Sequence, residues 1–164
     1  MLKQGDYNLK EFQNVGLGGT FDRLHIGHEL FLDIAAHYGQ LIRVGLVSSN
    51  YLKKTRKSYH EIIQSYEIRE EAVESYISKR NTQYQIVSID DLGMDRELAS
   101  DAKLSALVVS QETCPGANAI NCLRINKGKP RLTIIVIPRV LRGDGTQESS
   151  TKLRKEQHDK GLSY

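Results

Sequence analysis

A chain of 164 residues with 39% hydrophobic and 26% charged residues has the size and balance of one globular domain, read here as residues 1–164 with a polar C-terminal end. A formal net charge of +3 is too mild to mark a nucleic-acid binder. The sequence has no apolar run of the roughly eighteen residues that a membrane helix needs, and its polar start MLKQGDYNLKEF lacks a signal core. The expectation is a cytoplasmic protein whose partners are small molecules, with neither nucleic acid nor membrane among them. Its two cysteines, Cys114 and Cys122, match no zinc spacing and read as free thiols.

Taken in chain order, residues 14–20 (NVGLGGT) read as a short buried strand entering a glycine turn. Ile26, Leu30, Phe31, Ile34 and Ala35 then recur at helical spacing as far as Tyr38, and Gly39 stops the helix. Residues 41–48 (LIRVGLVS) form a second strand. A polar, basic stretch follows over 50–60, carrying Lys53, Lys54, Arg56 and Lys57. Ile68, Ala72, Val73, Tyr76 and Ile77 predict a helix over 65–79. Strands follow at 83–89, 104–110 and 131–138. Helices are expected around Glu97, over 117–126 and over 149–159.

Strands that alternate with helices and are apolar almost throughout predict an α/β protein. The expected architecture is a Rossmann-like, doubly wound parallel sheet of about five strands with helices on both faces. In such sheets ligands bind beyond the carboxyl ends of the strands. The unusual residues sit at those ends: 18–22, 48–54, 110–113 and 138–149.

The first strand end carries the densest signal. Gly18 and Gly19 let backbone N–H groups approach a phosphate without a Cβ in the way. Thr20 adds a hydroxyl, and Asp22 fixes the loop. His25 and His28 share a face across Gly27 at a helix start, where the backbone favours anions. Gly27 leaves room there for a nucleotide. No third ligand stands near this histidine pair in sequence, so a resident metal is not expected.

The segment GGTFDRLHIGH resembles the signature of the HxGH nucleotidyltransferase superfamily, which also includes class I aminoacyl-tRNA synthetases. Its second signature resembles Ser149-Ser150-Thr151-Lys152-Leu153-Arg154, preceded by Glu148 where the family carries an apolar residue. SYEIREEAV, ALVVSQET, INCLRINKG, LTIIVIP and SSTKLR extend the resemblance over residues 15–162, to the archaeal and eukaryotic phosphopantetheine adenylyltransferases. Gln111 stands where that family has an acidic residue.

The resemblance implies adenylyl transfer from ATP to 4′-phosphopantetheine, with Mg2+ carried by the triphosphate. His28 and His25 would contact the reacting phosphates, and Thr20 the attacking one. Lys53 or Lys54 would hold the acceptor phosphate, with Arg69 as a further anion-binding candidate. Gly18, Gly19 and Gly27 would accommodate the nucleotide. Ser149, Ser150, Thr151, Lys152 and Arg154 would bind the β and γ phosphates. Glu112 and Arg124 would shape the adenine or pantetheine pocket. Alternatives are an FAD-forming, NMN-adenylylating or cytidylyl-transferring enzyme, or a non-catalytic nucleotide-binding protein on the same fold. Oligomeric state stays open.

Overall fold

A computed structural model describes residues 10–55, 60–90, 94–138, 140–141, 143, 145 and 149–160. Among them the order is β1 (Phe12–Gly19), α1 (Ile26–Tyr38), β2 (Gly39–Val47), α2 (Ser49–Thr55), a 3₁₀ turn (His60–Ile62), α3 (Tyr66–Ile77), β3 (Gln83–Ile89), α4 (Met94–Ser100), β4 (Ala106–Ser110), α5 (Cys114–Asn126), β5 (Thr133–Ile137) and α6 (Ser150–Asp159). Every strand pair is parallel, and the sheet order is β3-β2-β1-β4-β5. This is the strand order of a doubly wound sheet whose switch point lies between β1 and β4.

The two-residue period of the strands sorts side chains onto two faces. Val15 and Leu17 of β1, Ile42, Val44 and Leu46 of β2, and Val108 of β4 point to one face. There Leu32, Ala35 and Ala36 of α1 and Val73 and Ile77 of α3 close over them. Leu107 and Val109 of β4 point to the other face and meet Ala99 of α4 and Ala117 and Ile120 of α5. On that second face β1 presents Gly16 and Gly18, and β2 presents Arg43 and Gly45. The missing side chains leave a cleft of roughly 780 Å³ that runs from the sheet's carboxyl edge down between the strands and α4–α5. Its size is that of an ordinary small-molecule site.

Helix starts follow local chemistry. The Ser65 side chain accepts from Ile68 N–H, and the Ser149 side chain from Lys152 N–H. Pro115 lies in the first turn of α5. That helix begins at Cys114, three residues before the expected start. Helix α2 occupies the basic stretch that had been read only as polar chain. Ser48 Oγ accepts from Tyr51 N–H at its start, and Leu52 is its one buried residue. Arg56 and Lys57 lie outside the described residues, as does Glu148.

Gly39 ends α1 for another reason than a left-handed turn. Its backbone is extended, at φ −100° and ψ 136°. A Cβ there would lie 2.9 Å from Val15 Cγ2 and 3.1 Å from the Ala35 carbonyl oxygen, so only glycine lets the chain leave α1 this close to β1.

Candidate active site

The loop from Thr20 to Arg23 joins β1 to α1. Phe21 and Arg23 hold φ of 51° and 49°, a left-handed conformation that costs a non-glycine residue about 1–2 kcal/mol. Surrounding bonds hold the loop there. Arg23 N–H donates to Gln64 Oε1 at 2.7 Å, and Gln64 N–H donates back to Asp22 Oδ1 at 3.0 Å. The Arg23 guanidinium reaches Ile62 O, Gln157 Oε1 and Asp22 Oδ2. Phe21 is fully buried against Phe31 and His28.

Asp22 is the hub of this arrangement. Its buried carboxylate pairs with Arg154 of α6 and with Arg23, each at 2.7 Å. Arg154 is itself buried, and its Nη2 donates to Thr151 Oγ1. Ser150 Oγ donates to Asp22 O at 2.7 Å and lies 3.5 Å from His25 Nε2. Helix α6 is thereby fastened against the start of α1, and the two helix N-termini meet.

His25 caps α1 with its ring. Its Nδ1 accepts from Gly27 N–H at 3.1 Å, which places the proton of the neutral ring on Nε2, facing Ser150 Oγ. The His25 and His28 rings stack, with centroids 3.9 Å apart and planes at 23°. A Cβ at Gly27 would lie 3.0 Å from His25 Cε1. The room that Gly27 provides is therefore filled by the His25 ring rather than left for a nucleotide.

The other expected residues fall into three groups. Gly18, Gly19, Thr20, Ser149, Ser150, Thr151 and Lys152 gather with the histidines where β1, α1 and α6 meet. Lys53 and Lys54 occupy the last turn of α2, both exposed, and Glu112 lines the cleft mouth beside Thr113. Arg69 and Arg154, expected on phosphates, are both buried and make most of their bonds within the protein. Arg69 is fully buried; its Nη1 donates to Thr20 O and Val47 O at 2.8 Å each, and its Nε donates to Gln64 O. It ties together the carboxyl ends of β1 and β2. Burial pulls its pKa below the ordinary value, and Asp22 opposes that. Its Nη2 is buried without a hydrogen-bond partner.

Arg124 stands apart from the site. It is fully buried and donates to Leu98 O and Asp101 O at the carboxyl end of α4 and to Pro130 O ahead of β5. A cation at the end of α5 marks an anion site and a carbonyl clamp equally well in sequence, and the carbonyls that decide it come from distant segments.

Several functional residues had no reading of their own. Tyr51 and Arg43 line the cleft, and Arg23 and Gln64 brace the loop. Arg43 carried a signal: a cation inside an otherwise apolar parallel strand demands a partner. That partner is Asp101, at the end of α4.

Among the described residues no three His, Cys, Asp or Glu side chains cluster to hold a metal, and no helix is long and apolar enough to cross a membrane. A glycine-ended strand, two meeting helix N-termini and a cleft at the switch point stand together at the carboxyl edge of a Rossmann-like sheet. The cytidylyltransferase-like family model matches residues 17–156, and the chain belongs to that family. Within it the chain belongs with the phosphopantetheine adenylyltransferases. It is 38% identical to the phosphopantetheine adenylyltransferase of Methanopyrus kandleri, over 90% of this chain and 92% of that one. Identity to the Pyrococcus horikoshii enzyme of that name is also 38%, over 89% and 90%. A solved structure from Archaeoglobus fulgidus, described as a protein of unknown function, superposes with a TM-score of 0.62 at 27% identity, covering 84% of this chain and all of that one.

Proposed function

We infer that the chain transfers the adenylyl group of MgATP to 4′-phosphopantetheine, giving dephospho-coenzyme A and pyrophosphate. The observation that carries this reading is the junction of the α1 and α6 N-termini, where Ser150 links His25 to the Asp22 backbone, beside Gly18 and Gly19 that line a cleft of roughly 780 Å³.

In this reaction an acceptor phosphate oxygen attacks the α-phosphorus of ATP, and the bond from that phosphorus to the pyrophosphate oxygen breaks in line. The attacking group is an anion at neutral pH, so no general base is needed. Catalysis is positioning and charge stabilisation. His28, stacked on His25, donates to the α-phosphate as charge builds there, and the helix N-termini with Ser149, Ser150, Thr151 and Lys152 hold the leaving pyrophosphate. Gly18 and Gly19 admit the nucleotide, and Thr20 meets the attacking phosphate. Lys53 or Lys54 holds the acceptor phosphate, with the unpartnered Arg69 Nη2 behind it. Glu112 borders the adenine or the arm. The Asp22 carboxylate is taken by Arg23, Arg154 and Gln64 N–H, so magnesium enters as part of MgATP. Free thiols at Cys114 and Cys122 suit a reducing cytoplasm.

Pyrophosphate release tests the reading. Phosphopantetheine, FMN, nicotinamide mononucleotide and phosphocholine would each be offered with ATP and with CTP. Turnover is expected with phosphopantetheine and ATP. Its absence there, or faster turnover of another pair, overturns the assignment.

A further inference from the structure

We propose that the Arg43–Asp101 ion pair is the end wall of the acceptor channel and makes the enzyme select arms that end in a free thiol. This rests on the acceptor reading above. In the parallel register Gly18 of β1 faces Gly45 of β2, and Gly16 faces Arg43. The floor of the cleft is therefore glycine at Gly18, Gly45 and Gly16, with Ile89, Leu104 and Leu107 packed close over it, and it ends at a guanidinium. From the Gly19–Leu46 pair to the Gly16–Arg43 pair is three residues, or about 10 Å along the strands. The side walls over that length are apolar, from Ile89 on β3 to Leu98, Leu104 and Ile120 opposite. They lean over the floor: a Cβ at Gly45 would lie 2.7 Å from Ile89 Cδ1, and one at Gly16 would lie 2.9 Å from Leu107 Cδ2.

The wall is fixed in place. Asp101 Oδ1 accepts from Lys103 N–H at 2.8 Å and from Leu104 N–H at 3.3 Å, and its other oxygen pairs with Arg43. Both residues line the cleft, and their side chains are partly exposed, at 33% and 20%. A charged pair here contributes little stability over a packed apolar pair, so its presence suits recognition. A pantetheine arm enters thiol first at the carboxyl edge and runs inward between these apolar walls, leaving its phosphate at the edge. Its last amide then meets the guanidinium donors, and its thiol abuts the pair. An S-acyl group would have to displace an ion pair whose carboxylate is tied to backbone.

The test compares 4′-phosphopantetheine with its S-butyl thioether analogue, a non-hydrolysable stand-in for an S-acyl arm, each with MgATP. The parent should show kcat/KM about 20-fold lower for the capped arm. In Arg43→Ala/Asp101→Asn, where Asn keeps the acceptor for Lys103 and Leu104 N–H, the gap should shrink to about 3-fold with KM for ATP unchanged. Arg43→Lys should keep most of the discrimination. A thermal shift on the parent adds a reading that needs no variant: the free arm should raise Tm and the capped arm should not. Equal use of both acceptors by the parent, stabilisation by both, or undiminished discrimination in the folded double variant overturns the proposal. If the parent turns over neither acceptor, the functional reading fails and takes this one with it.

Discussion

Asp22 has no exposed surface, yet it joins two arginines and a backbone N–H around one carboxylate. Removing it leaves Arg154 charged, buried and unpaired, with Arg69 nearby. Asp22→Ala should therefore lower the unfolding free energy by about 3–5 kcal/mol, measured by urea titration. His28→Ala should behave in the opposite way. The fold and ATP affinity are kept, while kcat falls about 100- to 1,000-fold in the pyrophosphate assay, because one donor to the transition state is lost. Unchanged turnover would remove His28 from its assigned role. The glycines and histidines of this loop could be singled out in the sequence because they lie within eleven consecutive residues, whereas the His25 ring beside Gly27 shows only in three dimensions. Arg69, Arg124 and Arg154 were legible only as cations. Whether an arginine meets a ligand or a carbonyl depends on chain far away in sequence, and Thr20, Val47, Pro130 and Asp22 supply those partners here.

At the scale of elements, periodicity identified the helices that bury a stripe and all five strands. It missed α2, which buries only Leu52 and so has no stripe to read. It placed the end of α1 at Gly39, but the close approach of Val15 that requires glycine there shows only in three dimensions. Gly39→Ala should cost about 1–3 kcal/mol through overpacking against Val15 and the Ala35 carbonyl, measured by thermal unfolding. Helices α1 and α3 are clasped by Tyr76, whose hydroxyl donates to Asp33 at 2.9 Å while Arg80 lies over its ring and pairs with Asp33. Burial, then the bond to Asp33, pushes the Tyr76 phenol from 10.0 up to about 12. The folded state thus keeps this proton longer than the unfolded chain. The stabilisation is fully present below pH 10 and is lost as pH rises toward about 12. Alkaline difference spectra at the phenolate band should show a step near 12 that is missing in Tyr76→Phe.

At the scale of the molecule, the alternation of elements was enough to expect a parallel sheet. The unequal treatment of its two faces was not legible, since it depends on which strand carries glycine opposite which helix. One face is a closed core under α1 and α3, and the other opens into the cleft. Ligands that fill the cleft bind only the folded state. MgATP at about 100 times its Kd should add about 2.7 kcal/mol and raise Tm by several degrees, measured by calorimetry. Val73→Ala, in the closed core, should lower Tm while leaving KM for both substrates in place.

The bond between Arg154 and Asp22 spans 132 residues. During synthesis the loop that holds Asp22 leaves the ribosome long before α6 is made, at about 5–20 residues per second. For those seconds the sheet and α1 can assemble, while the α6 half of the junction does not yet exist. A nascent chain therefore has a foldable core before the Asp22 carboxylate has its second arginine. That contact is also among the most distant in sequence, where the loop-closure cost is greatest.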